Sequence, residues 1–138
     1  MDDYESAKWL RSTGVDRMAK SILLIVDDES SVCRALSRML KRHFDRVITA
    51  VSPKEAEVIL YSNSVTHVIC DHWFGAGQPL GLDIAARWKE EFKSIKRAVV
   101  LTGTDATQLT PPPGVHQIMA KTAEAEDLAS ALGILTGG

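Results

Sequence analysis

A chain of 138 residues, 45% apolar and 25% charged, suits one soluble domain that buries roughly two thirds of the surface of its unfolded form. Its 16 basic and 18 acidic residues are interspersed and leave a net charge of −2, which excludes a basic footprint on nucleic acid or on an anionic membrane. The longest apolar runs are about five residues and the N-terminus lacks the apolar stretch of a signal peptide, so membrane insertion is excluded and the cytoplasm is the expected compartment.

Residues 1–20 are acidic at the start, then mixed, with Trp9 and Leu10 the bulky apolar pair before Gly14. They read as an N-terminal extension, either a loosely held helix or a disordered leader, ahead of a domain over residues 21–138. Ile22 to Val26 is a buried strand that ends on Asp27-Asp28-Glu29. Glu29 to Arg42 follows as a helix, with Val32, Leu36, Met39 and Leu40 forming an apolar stripe. Arg46 to Val51 is a second strand, and Ser52-Pro53-Lys54-Glu55 is a capping box with proline at the first helical position, opening a helix that runs to about Leu60.

Thr66 to Cys70 is a third strand that stops on Asp71, followed by a glycine-bearing loop, His72 to Leu80. A helix over Leu82 to Phe92 turns Ala85, Trp88 and Phe92 inward. Ala98 to Thr102 is the fourth strand. The segment Gly103 to Gly114 holds Pro111-Pro112-Pro113, which limits any helix there to one or two turns. Val115 to Ala120 is the fifth strand, ending at Lys121, and Glu124 to Leu135 is the last helix. Cys33 and Cys70 lack a partner motif and read as buried, reduced and structural. His43, His67, His72 and His116 show no ligand spacing, so no transition-metal site is assigned.

A lone aspartate after a strand ordinarily starts a turn. Asp71 is different in company. Alternating strands and helices bring all strand ends to one edge of a parallel sheet, so Asp27, Asp28, Asp71, Thr102 and Lys121 converge there. An open doubly wound sheet is the leading architecture. With strands in the flavodoxin-like order 2-1-3-4-5, the crevice falls between the ends that carry Asp27, Asp28 and Asp71. Three crowded carboxylates must raise a pKa or hold a cation, and oxygen-only ligands beside a site for phosphate chemistry favour Mg²⁺.

The chain resembles the receiver domain of two-component response regulators. The resemblance rests on Ile25-Val26-Asp27-Asp28-Glu29, Val68-Ile69-Cys70-Asp71, Leu101-Thr102-Gly103 and Ile118-Met119-Ala120-Lys121, in that order, and covers Ser21 to about Leu135. It implies the strand order 2-1-3-4-5 of a (βα)5 fold, here with a shortened fourth helix. It also implies that Asp71 is the phosphoacceptor, attacking a phosphoryl group on the phosphohistidine of a sensor histidine kinase or phosphotransfer protein. Asp28 would bind Mg²⁺ directly, Asp27 partly through water, and the main-chain carbonyl of Trp73 would be a further ligand. Lys121 would pair with the phosphoryl oxygens and Thr102 would hydrogen-bond one of them.

Such a domain is a signalling module acting on a downstream protein target, in a single-domain regulator or as a fragment of a longer one. It is no enzyme beyond its own phosphoryl transfer and dephosphorylation. Three departures stand out. Thr122 follows the lysine where receivers have a cis-proline, so a trans bond is expected, since a non-proline cis bond costs about 3 to 4 kcal/mol. Ile118 stands where a switch aromatic is usual, and the loop after Asp71 carries Trp73, Phe74 and about two extra residues before Gly81. Two alternatives stay open: a receiver-like adaptor that no longer switches, and a haloacid dehalogenase-like phosphatase. The latter family wants D-x-D after the first strand, where this chain has Asp27-Asp28-Glu29.

Overall fold

The alternating apolar runs build a five-stranded parallel sheet in a computed structural model that describes residues 20–134. The strands are β1 (Ile22–Val26), β2 (Arg46–Ala50), β3 (His67–Asp71), β4 (Arg97–Thr102) and β5 (Gln117–Ala120), in the order β2-β1-β3-β4-β5. The helices are α1 (Ser30–Leu40), α2 (Pro53–Ser62), α3 (Gly81–Glu91) and α4 (Ala125–Ala131). The extension expected over residues 1–20 lies, but for Lys20, outside the described residues. Among the described residues no helix is long and apolar enough to cross a membrane.

Alternation along the central strands makes two cores. Leu23, Ile25, Ile69, Val99 and Leu101 pack on Cys33, Leu36 and Leu40 of α1 and on Leu128 and Ala131 of α4. Leu24, Val26, Val68, Cys70 and Val100 pack on the other face against Ala56 and Leu60 of α2 and Leu82, Ala85 and Trp88 of α3. Both faces of β3 are therefore covered, which is why it reads as a continuous apolar run with no alternation. The expected stripe of α1 holds at Leu36 and Leu40, which are buried together with Cys33, while Val32 and Met39 only flank the core. Cys33 and Cys70 are both free thiols in the interior.

The start of α2 follows its sequence signal in part. Ser52 Oγ accepts the Glu55 N–H at 3.1 Å, with Pro53 at the first helical position. Glu55 reaches one residue further back than a capping box requires and accepts from the Val51 N–H at 2.8 Å.

The second half bears out the shortened fourth helix and departs from expectation at two places, the start of β5 and the end of α4. The fourth helix is a single 3-10 turn, Ala106–Gln108, capped by Asp105, whose Oδ1 accepts the Thr107 N–H at 3.0 Å. The proline run then carries the chain over α3, where Pro113 and Gly114 line a groove with Ala86, Lys89 and Glu90. Strand β5 begins at Gln117, two residues later than Val115, because Val115 is still held in a turn by the Pro112 carbonyl at 3.1 Å. Helix α4 stops at Ala131, short of Leu135. Gly133 adopts φ +77, the Ile134 N–H returns to the Ala129 carbonyl and the Gly133 N–H to that of Ser130, each at 2.9 Å, a glycine-centred stop that a side chain disfavours.

Candidate functional site

Parallel pairing sets Val26 beside Cys70, so the residues that follow or close these strands, Asp27 and Asp71, meet at the C-terminal edge of the sheet. The Asp27 N–H still bonds the Ala50 carbonyl of β2 at 3.1 Å, which holds this carboxylate to the sheet while Asp28 turns outward. Carboxylate oxygens of Asp27, Asp28 and Asp71 lie within 4.8 Å of one another, with Asp27 and Asp71 buried and Asp28 exposed. The cleft around them, about 600 Å³, is lined by Asp28, Asp71, His72, Trp73, Thr102 and Lys121, together with Glu29, Leu80, Gly103 and Thr104.

Lys121 arrives from the end of β5. Its N–H extends the ladder to the Thr102 carbonyl at 3.0 Å, and its side chain crosses β4 to place Nζ 3.2 Å from Asp27 Oδ2 and 3.2 Å from Asp71 Oδ1. Glu29 Oε1 lies 3.5 Å from the same ammonium. No described peptide bond is cis, so the expected trans bond before Thr122 still lets the lysine reach both aspartates.

The charges answer to this geometry. Burial pushes Asp27 above the usual carboxylate range, against the Glu29 N–H and Lys121, which lower it. Burial also raises Asp71, the neighbouring Asp27 charge raises it further, and Lys121 and the main-chain amide of Trp73 act the other way. For Lys121, burial favours the neutral amine, but hydrogen bonds and attraction from Asp27 and Asp71 outweigh it and strengthen the ammonium's hold on its proton. Oxygen donors with excess negative charge fit a small hard divalent cation, and Asp28, exposed and free of the lysine, is the carboxylate open to it.

The remaining residues divide. Thr102 is 3% exposed, and its hydroxyl lies against Thr104. Trp73 projects at 57% exposure, whereas Phe74 packs against the α3 face of the core. His72, the first residue of the loop after Asp71, is half-buried, and its Nδ1 is a buried polar atom without a partner among the described residues.

The sequence reading missed Gly81. It opens α3 where the chain folds back beneath Asp71, with its N–H on the His72 carbonyl at 2.8 Å. A Cβ there would collide with the Asp71 carbonyl oxygen and stand 2.7 Å from His72 Cα. The available signal was a glycine at the first helical position, where it has no intrinsic advantage and so implies close backbone approach.

No protein-family model matches the chain, and no curated protein matches it significantly. Solved structures do. A response regulator receiver domain protein of Clostridium thermocellum is 26% identical with a TM-score of 0.67, the match covering 82% of this chain and 91% of that one. A response regulator of Burkholderia pseudomallei, solved with a phosphorylated aspartic acid and a calcium ion, is also 26% identical at a TM-score of 0.67, covering 81% of this chain and 66% of that one. A response regulator of Thermotoga maritima, solved with Mg²⁺ and beryllofluoride, shares the fold at 20% identity and a TM-score of 0.68, over 82% of this chain and 96% of that one.

The sheet order and helix placement define a flavodoxin-like doubly wound fold. Within that class, the chain is similar over most of its length to response regulator receiver domains.

Proposed function

We propose that this receiver takes a phosphoryl group on Asp71 from the phosphohistidine of a sensor histidine kinase or phosphotransfer protein in the cytoplasm and signals through contacts with a downstream protein. The observation that carries the reading is Lys121 Nζ, 3.2 Å from Asp71 Oδ1 and 3.2 Å from Asp27 Oδ2, in a cleft open to a partner. In the transfer, an Asp71 carboxylate oxygen forms the new bond to phosphorus as the phosphorus–nitrogen bond breaks, and the imidazole leaves neutral after taking up a proton.

Asp27, Asp28 and the carbonyl of Trp73 would hold Mg²⁺ with Asp71. When bound, the ion supplies the positive charge that lets an anionic nucleophile and an anionic phosphoryl group approach. Lys121 turns from counter-ion of the carboxylate to counter-ion of the phosphoryl group, and Thr102 offers a hydroxyl donor. Fixed donors of this kind are what the reaction needs, since phosphoryl transfer is mostly positioning and charge stabilisation.

A second reading, a receiver that serves as an adaptor without switching, draws on Ile118 at the switch position and on the reduction of the fourth helix to one 3-10 turn. A structure determined with Mg²⁺ and beryllofluoride separates the two. The first reading expects beryllofluoride on Asp71 with the loops after β3 and β4 rearranged; no density on Asp71, or density with no rearrangement, supports the adaptor.

A further inference from the structure

This inference rests on the receiver reading and concerns Thr104, which neither the sequence pattern nor the resemblance assigns. Thr102 Oγ1 accepts the Thr104 N–H at 3.1 Å, an ordinary turn contact, but it also lies 2.9 Å from Thr104 Oγ1. Both threonines line the cleft that holds Asp71 and Lys121. Thr102 is buried and Thr104 is exposed at the start of the segment that replaces the fourth helix.

A hydroxyl has one hydrogen and two lone pairs. With the Thr104 N–H on one lone pair of Thr102, two arrangements of the same heavy atoms remain. In one, Thr102 donates to Thr104 and has no hydrogen left for the cleft. In the other, Thr104 donates to Thr102, fills its second lone pair and releases the Thr102 hydrogen toward the cleft. An anion on Asp71 selects the second, because a hydrogen bond to a charged acceptor is about twice as strong as a neutral one and polarises the hydroxyl behind it. The selection alters what Thr104 bonds, and Thr104 leads directly into Asp105 and the 3-10 turn that Asp105 caps. Ile118 has no hydroxyl and cannot join such a chain.

We infer that Thr104 is a positioning residue: its hydroxyl aims that of Thr102 at the anion on Asp71 and passes the anion's arrival to the segment Gly103–Gly114.

The test uses the full chain with Thr104→Val, which keeps the shape and removes the hydroxyl, and Thr104→Ser, which keeps the hydroxyl. Hydrogen exchange across residues 103–114 is read with and without beryllofluoride and Mg²⁺, beside labelling of the same proteins by acetyl phosphate. The expected result is a beryllofluoride response in the wild-type protein, its loss in Thr104→Val, which acetyl phosphate still labels but more slowly, and its return in Thr104→Ser. Wild-type response in Thr104→Val, or no return in Thr104→Ser, overturns the role of Thr104 and leaves the receiver reading standing. A wild-type protein that acetyl phosphate does not label overturns that reading, and this inference with it. A melting temperature for each variant, with Thr104→Ala as a further hydroxyl-free form, separates loss of response from loss of fold.

Discussion

Gly81 lies directly beneath Asp71, so close that any β-carbon on it would meet the Asp71 carbonyl oxygen. The first turn of α3 thereby braces the end of β3, and the orientation of the Asp71 carboxylate depends on a residue with no chemistry of its own. The colliding atoms are backbone and cannot rotate aside. Gly81→Ala is accordingly expected to destabilise the fold by roughly 3 kcal/mol, the range of severe overpacking. Urea unfolding checks this, and a loss under about 0.5 kcal/mol, the range of surface substitutions, would show that β3 and α3 can separate at little cost.

Lys121→Ala should impair labelling of Asp71 more than folding. The ammonium contacts two buried carboxylates, while the side chain is itself 25% exposed and its loss opens no core cavity. Leu101→Ala, in the core one residue before Thr102, is the control for folding, with an expected cost of about 2 to 5 kcal/mol. A melting-temperature drop in Lys121→Ala equal to that of Leu101→Ala would make the lysine a structural residue.

The two-faced core and the convergence of Asp27, Asp71 and Lys121 were legible because each follows from where an apolar run stops, whereas the strand order was implied only by the resemblance to receiver domains. Positions set by backbone proximity were not. Gly81 is meaningful only once β3 and α3 touch, and the Thr102–Thr104 pair only once Gly103 has turned the chain. The ends of β5 and α4 were overextended because Val115 and Ile134 look apolar enough to continue an element, while a turn at Pro112 and the left-handed Gly133 decide otherwise.

Acid should weaken the fold through His67. Burial, reinforced by Lys96 and Arg97, lowers its pKa from 6.5 to about 4, and its Nδ1 lies 2.8 Å from the Thr66 hydroxyl. Between these values the unfolded chain binds a proton that the folded one refuses. Stability present above the unfolded pKa is therefore lost as pH falls through that window, by up to about 3 kcal/mol. Asp27 and Asp71, raised by burial, act with the opposite sign, since protonation relieves them. The difference between wild type and His67→Gln in urea unfolding isolates the histidine. A wild-type curve parallel to the variant's from pH 7 to pH 4 would contradict it.

Mg²⁺ binding should be visible in fluorescence. Trp73 is exposed on the loop that would supply a main-chain ligand, whereas Trp88 is fully buried. A Mg²⁺ titration should change the emission of the wild-type protein, and Trp73→Phe should lose the change. Asp28→Ala should weaken the apparent affinity roughly tenfold or more, a loss of about 1.4 kcal/mol. Equal affinity in Asp28→Ala would remove that carboxylate from the metal site.

The central claim is that Asp71 accepts phosphate with a cation's help. Intact-mass measurement after incubation with acetyl phosphate tests it most directly. The wild-type protein should gain the mass of one phosphoryl group with Mg²⁺ present and none when the ion is chelated, and Asp71→Asn should gain none in either case. Undiminished labelling of Asp71→Asn, or labelling of the wild type that ignores Mg²⁺, would contradict the account.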